Sequence, residues 1–178
     1  MYDPRNGPPY DAAWLATYRS AQIARNRRIT RWVQERIARI ARLTPPIVDH
    51  PFIVFRTAAD PRFLDPSIDP SDREPGTYWG DARAANSMLG GLGRISGLRS
   101  WLSQWGYDTS RGNAVEHLRY TSAPLLVLQS TADQGVFPAE AKALFEAAAT
   151  GDKRLEWLPA ATHFFRGRRV DRAAHAVA

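Results

Sequence analysis

Apolar side chains recur at helical spacing near the start of the chain: Trp14, Tyr18 and Ala21, then Ile29, Trp32, Val33, Ile37 and Ile40, share one face of a helix, or of two helices with a bend, over residues 11–43. Arginines fill most of the other faces, and Thr44-Pro45-Pro46 ends the run because proline cannot donate to the helical ladder. Residues 47–57 (IVDHPFIVFRT) read as extended, with Pro51 restricting them to an edge or irregular strand. The next stretch, to residue 80, is dense in Pro, Asp and Gly and predicts a long ordered loop in which Phe63, Leu64, Tyr78 and Trp79 must find packing partners. Short helices are expected around RAANSML and GLRSWLSQW, interrupted at Gly90-Gly91.

The pattern sharpens after residue 120. Pro124-Leu125-Leu126-Val127-Leu128-Gln129 is a continuous apolar run that suits a strand buried on both faces. Residues 138–149 are helical by propensity, with Pro138 in the first turn and Gly151 closing the helix, and residues 154–158 form a second short strand. Strand, helix and strand at this spacing predict a βαβ unit with parallel strands. The expected class is therefore α/β: a mostly helical region over residues 1–120, then the βαβ unit of a parallel sheet over 121–178.

Composition narrows the function classes. The 178 residues contain no cysteine, which removes disulfides and thiolate chemistry. No apolar run reaches the length of a membrane span and the N-terminus lacks a signal-peptide pattern, so a cytoplasmic location is the expectation. Of the +6 net charge, all falls in residues 1–42, where nine arginines face three acids. One basic helix, residues 19–42, with no reading motif beside it is better explained as a solvated face than as a nucleic-acid interface. Histidines 50, 117 and 175 have no ligand-like spacing, and no phosphate-binding or dinucleotide fingerprint occurs, so neither metal nor organic cofactor is expected.

Candidate chemistry lies in the βαβ unit. Asp133 follows its first strand in STADQGVFP, and His163 follows its second in PAATHFF. Working residues of open α/β sheets gather at the C-terminal ends of strands, and two parallel strands ending in such loops bring the side chains within reach of each other. A carboxylate bonded to one imidazole nitrogen fixes the tautomer and leaves the other nitrogen free to accept a hydroxyl proton. Taken singly, Asp133 reads as a loop organiser and His163 as a packing residue.

Over residues 123–165 the chain resembles the C-terminal part of the α/β-hydrolase fold: the strand at 124–129, the acid in TADQGVFP and the histidine in PAATHFF stand where that family has them. Residues 1–120 look like the helical cap of bacterial members. The resemblance implies a partial α/β-hydrolase fold and serine-type hydrolysis of a small-molecule ester, lactone or related acyl bond without cofactor, with Asp133 orienting His163. It departs from the family in lacking the G-x-S-x-G nucleophile elbow and an HGGG-type oxyanion loop. Ser87, Ser96, Ser100, Ser103, Ser110 and Ser130 do not sit at a strand-to-helix elbow, so the nucleophile is not in this chain and the chain is expected not to turn over alone. A truncated gene or a partner chain would account for this, and exposed strands would favour self-association. The alternatives are a non-catalytic module binding an acidic partner or nucleic acid through helix 19–42, and an interaction surface built on Trp14, Trp32, Trp79, Trp101 and Trp105.

Overall fold

In a computed structural model, which describes residues 7–91 and 93–165, the first long pattern is a single unbroken helix, α1 (Ala12–Ile40). Asp11 caps it by accepting the backbone N–H of Trp14 at 2.7 Å, satisfying one of the donors that a helix start leaves unpaired. The remaining elements are β1 (Pro51–Ile53), a short 3-10 turn (Pro61–Phe63), α2 (Ala82–Ser87), β2 (Ile95–Gly97), α3 (Leu98–Ser100) running into a π-helical turn at Trp101–Trp105, α4 (Ala114–Leu118), β3 (Leu125–Ser130), α5 (Pro138–Ala147) and β4 (Lys153–Leu158). Helices thus accompany two small sheets: β1 and β2 pair antiparallel, and β3 and β4 pair parallel.

The chain packs as two units. Among the described residues, one combines 7–59 with 83–91 and 93–112; the other combines 60–82 with 113–165. The long loop after residue 59 accordingly belongs to the same unit as the βαβ segment.

In the first unit, α1 lays the predicted face against β1 and the α3 turn. Val33, Ile40, Val54, Leu98 and Trp101 form the buried core, with Ile29, Ile37, Phe52, Leu102 and Trp105 packed against it. Of residues 47–57 only Pro51–Ile53 forms a strand, Arg56 being left-handed (φ 60°), and the partner strand β2, from GRISG, carries no strand pattern in the sequence. Asp49 stabilises the corner after β2 by accepting the N–H of Leu98 at 2.8 Å.

In the second unit, β3 and β4 run in register from Leu125 against Lys153 to Ser130 against Leu158. Helix α5 crosses between them. Lys153 Nζ donates to the carbonyls of Phe145 (2.9 Å) and Ala148 (2.8 Å), closing the C-terminal end of α5 where carbonyls lack helical partners and a cation is favoured. One expectation fails: β3 is not buried on both faces, since Leu126 is 47% exposed and only the C-terminal residues Gln129 and Ser130 are buried. A two-stranded sheet covered by one helix has too few neighbours to enclose an apolar run of that length.

Leu98 is fully buried in the core of the first unit. Leu98→Ala should destabilise that unit by about 2–5 kcal/mol through lost transfer energy and the cavity left behind. Urea unfolding followed by tryptophan fluorescence checks this, and a loss below about 1 kcal/mol would contradict the core described.

Candidate functional site

The parallel register ends β3 at Ser130 beside Leu158 at the end of β4, so the two following loops start side by side. They are tied together at once: Thr131 N donates to Leu158 O and Ala132 N to Ala161 O, each at 3.0 Å. Ala160, at the bend of the second loop, takes a left-handed backbone (φ 54°), a conformation uncommon outside glycine.

Asp133 and His163, the two residues singled out in the sequence, are hydrogen-bonded. His163 Nδ1 lies 3.0 Å from Asp133 Oδ1 and 3.1 Å from Oδ2. Asp133 is buried, at 7% exposure, and its Oδ1 also accepts the backbone N–H groups of Gly135 (2.6 Å) and Val136 (3.0 Å). The carboxylate thus organises its own loop and holds the imidazole as well. Because an ionised carboxylate only accepts, the geometry assigns the ring proton to Nδ1 and leaves Nε2 unprotonated in neutral His163. Among the described residues Nε2 has no hydrogen-bond partner.

Aromatic rings fix the imidazole plane. Tyr78 stacks on it with centroids 4.4 Å apart and 24° between planes, and Phe164 meets it edge-on at 5.1 Å. Gly135 makes room for this stack: a Cβ there would lie 2.6 Å from Tyr78 Cδ1 and 3.1 Å from His163 Nδ1.

The segment that delivers Tyr78 is anchored on the same two loops. Asp72 N donates to Thr131 O at 3.0 Å, and its carboxylate accepts from the Thr131 hydroxyl and, at 3.3 Å, from Ala160 N. One side chain therefore ties together the loop leading to Asp133, at Thr131, and the loop leading to His163, at Ala160. Gln134 Nε2 donates to Glu74 O (3.0 Å), and Ala139 N donates to Asp69 Oδ2 (2.9 Å) at the start of α5. Beneath, the guanidinium of Arg62 lies 4.0 Å from the centroid of Phe137 and bridges Asp60 (2.7 Å) and Glu140 (2.8 Å). Burial would depress the Arg62 pKa, but these carboxylates outweigh it and raise it. Arg73 is buried with its guanidinium donating to the carbonyls of Asp69 and Ile68.

No protein-family model, curated protein or solved structure matches this chain. Its chemistry is therefore read from the geometry. Sequence reasoning missed Tyr78, Asp72 and Gly135; the Tyr78-Trp79 pair and the glycine two residues after Asp133 were the visible signals.

Four of the six serines considered above donate to nearby carbonyls. Ser87 Oγ donates to Arg83 O, Ser96 Oγ to Gly97 O, Ser103 Oγ to Ser100 O and Ser110 Oγ to Gln104 O, while the Ser130 hydroxyl is buried with no partner among the described residues. The basic helix is partly used inside its own unit: Arg27 pairs with Asp108 at 2.8 Å, Arg25 donates to Phe55 O, and Arg36 Nε donates to His50 Nε2. Of the tryptophans proposed as an interaction surface, Trp101 is core, whereas Trp32 and Trp79 are exposed by 45% and 41%. Among the described residues no group of three or more acids and histidines is placed to hold a metal ion, and no helix is long and apolar enough to cross a membrane. His175 lies outside the described residues.

Two predictions test this construction. Gly135→Ala should cost about 1–3 kcal/mol, the range for forcing an extra carbon into a filled site, and should shift the His163 ring resonances as Tyr78 is displaced; unchanged stability and shifts would contradict the packing. The Asp72 carboxyl is held below the usual carboxylate range by the Thr131 hydroxyl first and then by Ala160 N–H. A depressed folded pKa adds stability that is present above the unfolded value of about 4 and lost as pH falls through the folded pKa. Wild type should therefore exceed Asp72→Asn in melting temperature at pH 6, with the gap closing on acidification below pH 4; a pH-independent gap would exclude the linkage.

Proposed function

We propose that this chain carries the acid–base part of a serine-type acyl hydrolase, on a partial α/β-hydrolase fold, with Asp133 as the orienting acid and His163 as the general base. The observation that carries the reading is the Asp133–His163 hydrogen bond at the C-terminal ends of adjacent parallel strands, which leaves Nε2 open. In this scheme Nε2 takes the proton of a serine hydroxyl as that oxygen attacks the carbonyl carbon of an ester or lactone. The imidazolium, stabilised by Asp133, then returns the proton to the leaving oxygen. Water repeats the exchange and releases the acid. No metal or organic cofactor enters the scheme.

The serine belongs to a G-x-S-x-G elbow that this sequence does not contain. The pair is consequently a base awaiting its nucleophile, and the small-molecule acyl substrate is bound only when the elbow is joined to it.

Nitrogen-15 NMR of the imidazole tests the base directly. Neutral His163 should carry its proton on Nδ1, and Asp133→Asn should redistribute it; a proton on Nε2 in the wild-type chain would end the proposal. A fluorophosphonate probe should leave the purified chain unlabelled. Linked to a segment bearing the elbow, the chain should gain esterase activity that His163→Ala and Asp133→Asn each lower by about 10⁴-fold, the size of effect typical of a disrupted triad.

A further inference from the structure

The unit built on α1 contains a cavity of about 310 Å³ whose lining includes Tyr18, Gln22, Arg25, Arg56, Trp101 and Trp105. Its walls are held by internal hydrogen bonds. Trp101 Nε1 donates to the Thr30 hydroxyl at 3.0 Å, and Asn26 Nδ2 donates to Trp105 O at 2.8 Å. Tyr18 OH (3.0 Å) and Gln22 Nε2 (2.7 Å) both donate to Ala59 O, so these donors are already committed.

The charges in the cavity are not balanced in the same way. Arg25 Nη2 donates to Phe55 O, a neutral acceptor, and among the described residues neither Arg25 nor Arg56 forms an ion pair. No carboxylate lines the cavity. Burial, then the like charges of Arg56 and Arg28, push the Arg25 pKa down, which marks a cluster of cations lacking an anion. Arg56 also stands at φ 60°, a costly left-handed backbone for a non-glycine residue, pinned by its N–H to Asn86 O at 3.3 Å. Strain of this kind persists where the surrounding structure imposes it, and here it falls on one of the two uncompensated guanidiniums.

We infer that this cavity binds a small aryl carboxylate, its carboxylate between Arg25 and Arg56 and its ring against Trp101 and Trp105. Guanidinium offers the paired N–H geometry that matches a carboxylate, indole walls reward a flat apolar body, and the volume is at the small end of ligand pockets. The site lies within one unit and uses neither Asp133 nor His163, so it stands whether or not the hydrolase proposal holds.

Isothermal titration of the full chain with benzoate tests it. Benzoate should bind one site with a Kd of about 1 mM or tighter, and benzamide and inorganic phosphate should each bind at least about tenfold more weakly. Arg56→Ala should weaken benzoate by about tenfold, Arg56→Lys should fall between, and His163→Ala should change nothing. Arg56 is exposed, and an unchanged melting temperature confirms that its variants fold. Saturation not approached by 10 mM benzoate, benzamide binding equal to benzoate, phosphate binding equal to benzoate, or an unchanged Kd in folded Arg56→Ala would each overturn the inference.

Discussion

The parallel pairing of β3 with β4 is the constraint on which the candidate chemistry rests. Six residue pairs in register bring Ser130 and Leu158 to the same level, and everything beyond that level is loop. A slip of one position would carry the following loops apart and turn each side chain to the opposite face. With the register held, the backbone bonds Thr131 to Leu158 and Ala132 to Ala161 continue the pairing past the strands, and just beyond them Asp133 and His163 come within hydrogen-bonding distance.

Two strands alone would leave those loops loosely supported. The support comes from Asp60–Ala82, which has little regular structure but is pinned by Asp72 to both loops, by Asp69 to the start of α5, and by Arg62 and Arg73 to the Phe137 ring. Its polar composition follows from that role. A segment lying against helix starts and loop backbones must offer acceptors to N–H groups that have no partners within their own elements, and Asp side chains supply them. The stacking of Tyr78 on His163 is the consequence at the site.

Elements with a strong local signature were legible in the sequence. The helical face of α1, the stop at Thr44-Pro45-Pro46, and the strand–helix–strand order after residue 120 all follow from periodicity, proline position and propensity. So was the approach of Asp133 to His163, because parallel strands with loops at one end leave little freedom. Tyr78, Asp72 and Gly135 were not legible, since their partners lie far away in sequence or depend on backbone bonds that no side-chain pattern encodes. β2 was hidden for a related reason: three residues of GRISG pair with β1 through the backbone, and Ile95 faces solvent, so there is no alternation to read. The partial exposure of β3 could not be foreseen from an apolar run, because the run specifies what a strand prefers and not how many neighbours it receives.

The two readings of Asp133, loop organiser and orienting acid, were posed as competitors, yet the geometry makes them depend on each other. Its Oδ1 accepts two backbone N–H groups and also faces the imidazole Nδ1, so one oxygen serves the turn and the ring together. Those N–H bonds fix the direction of the carboxylate, and a fixed carboxylate is what holds the imidazole in place. A side chain free of its loop would spend part of its time bonded elsewhere and would orient the ring less well. The structural role is thus the condition for the proposed chemical one, and a substitution that loosens the 133–137 turn is expected to disturb His163 without touching it.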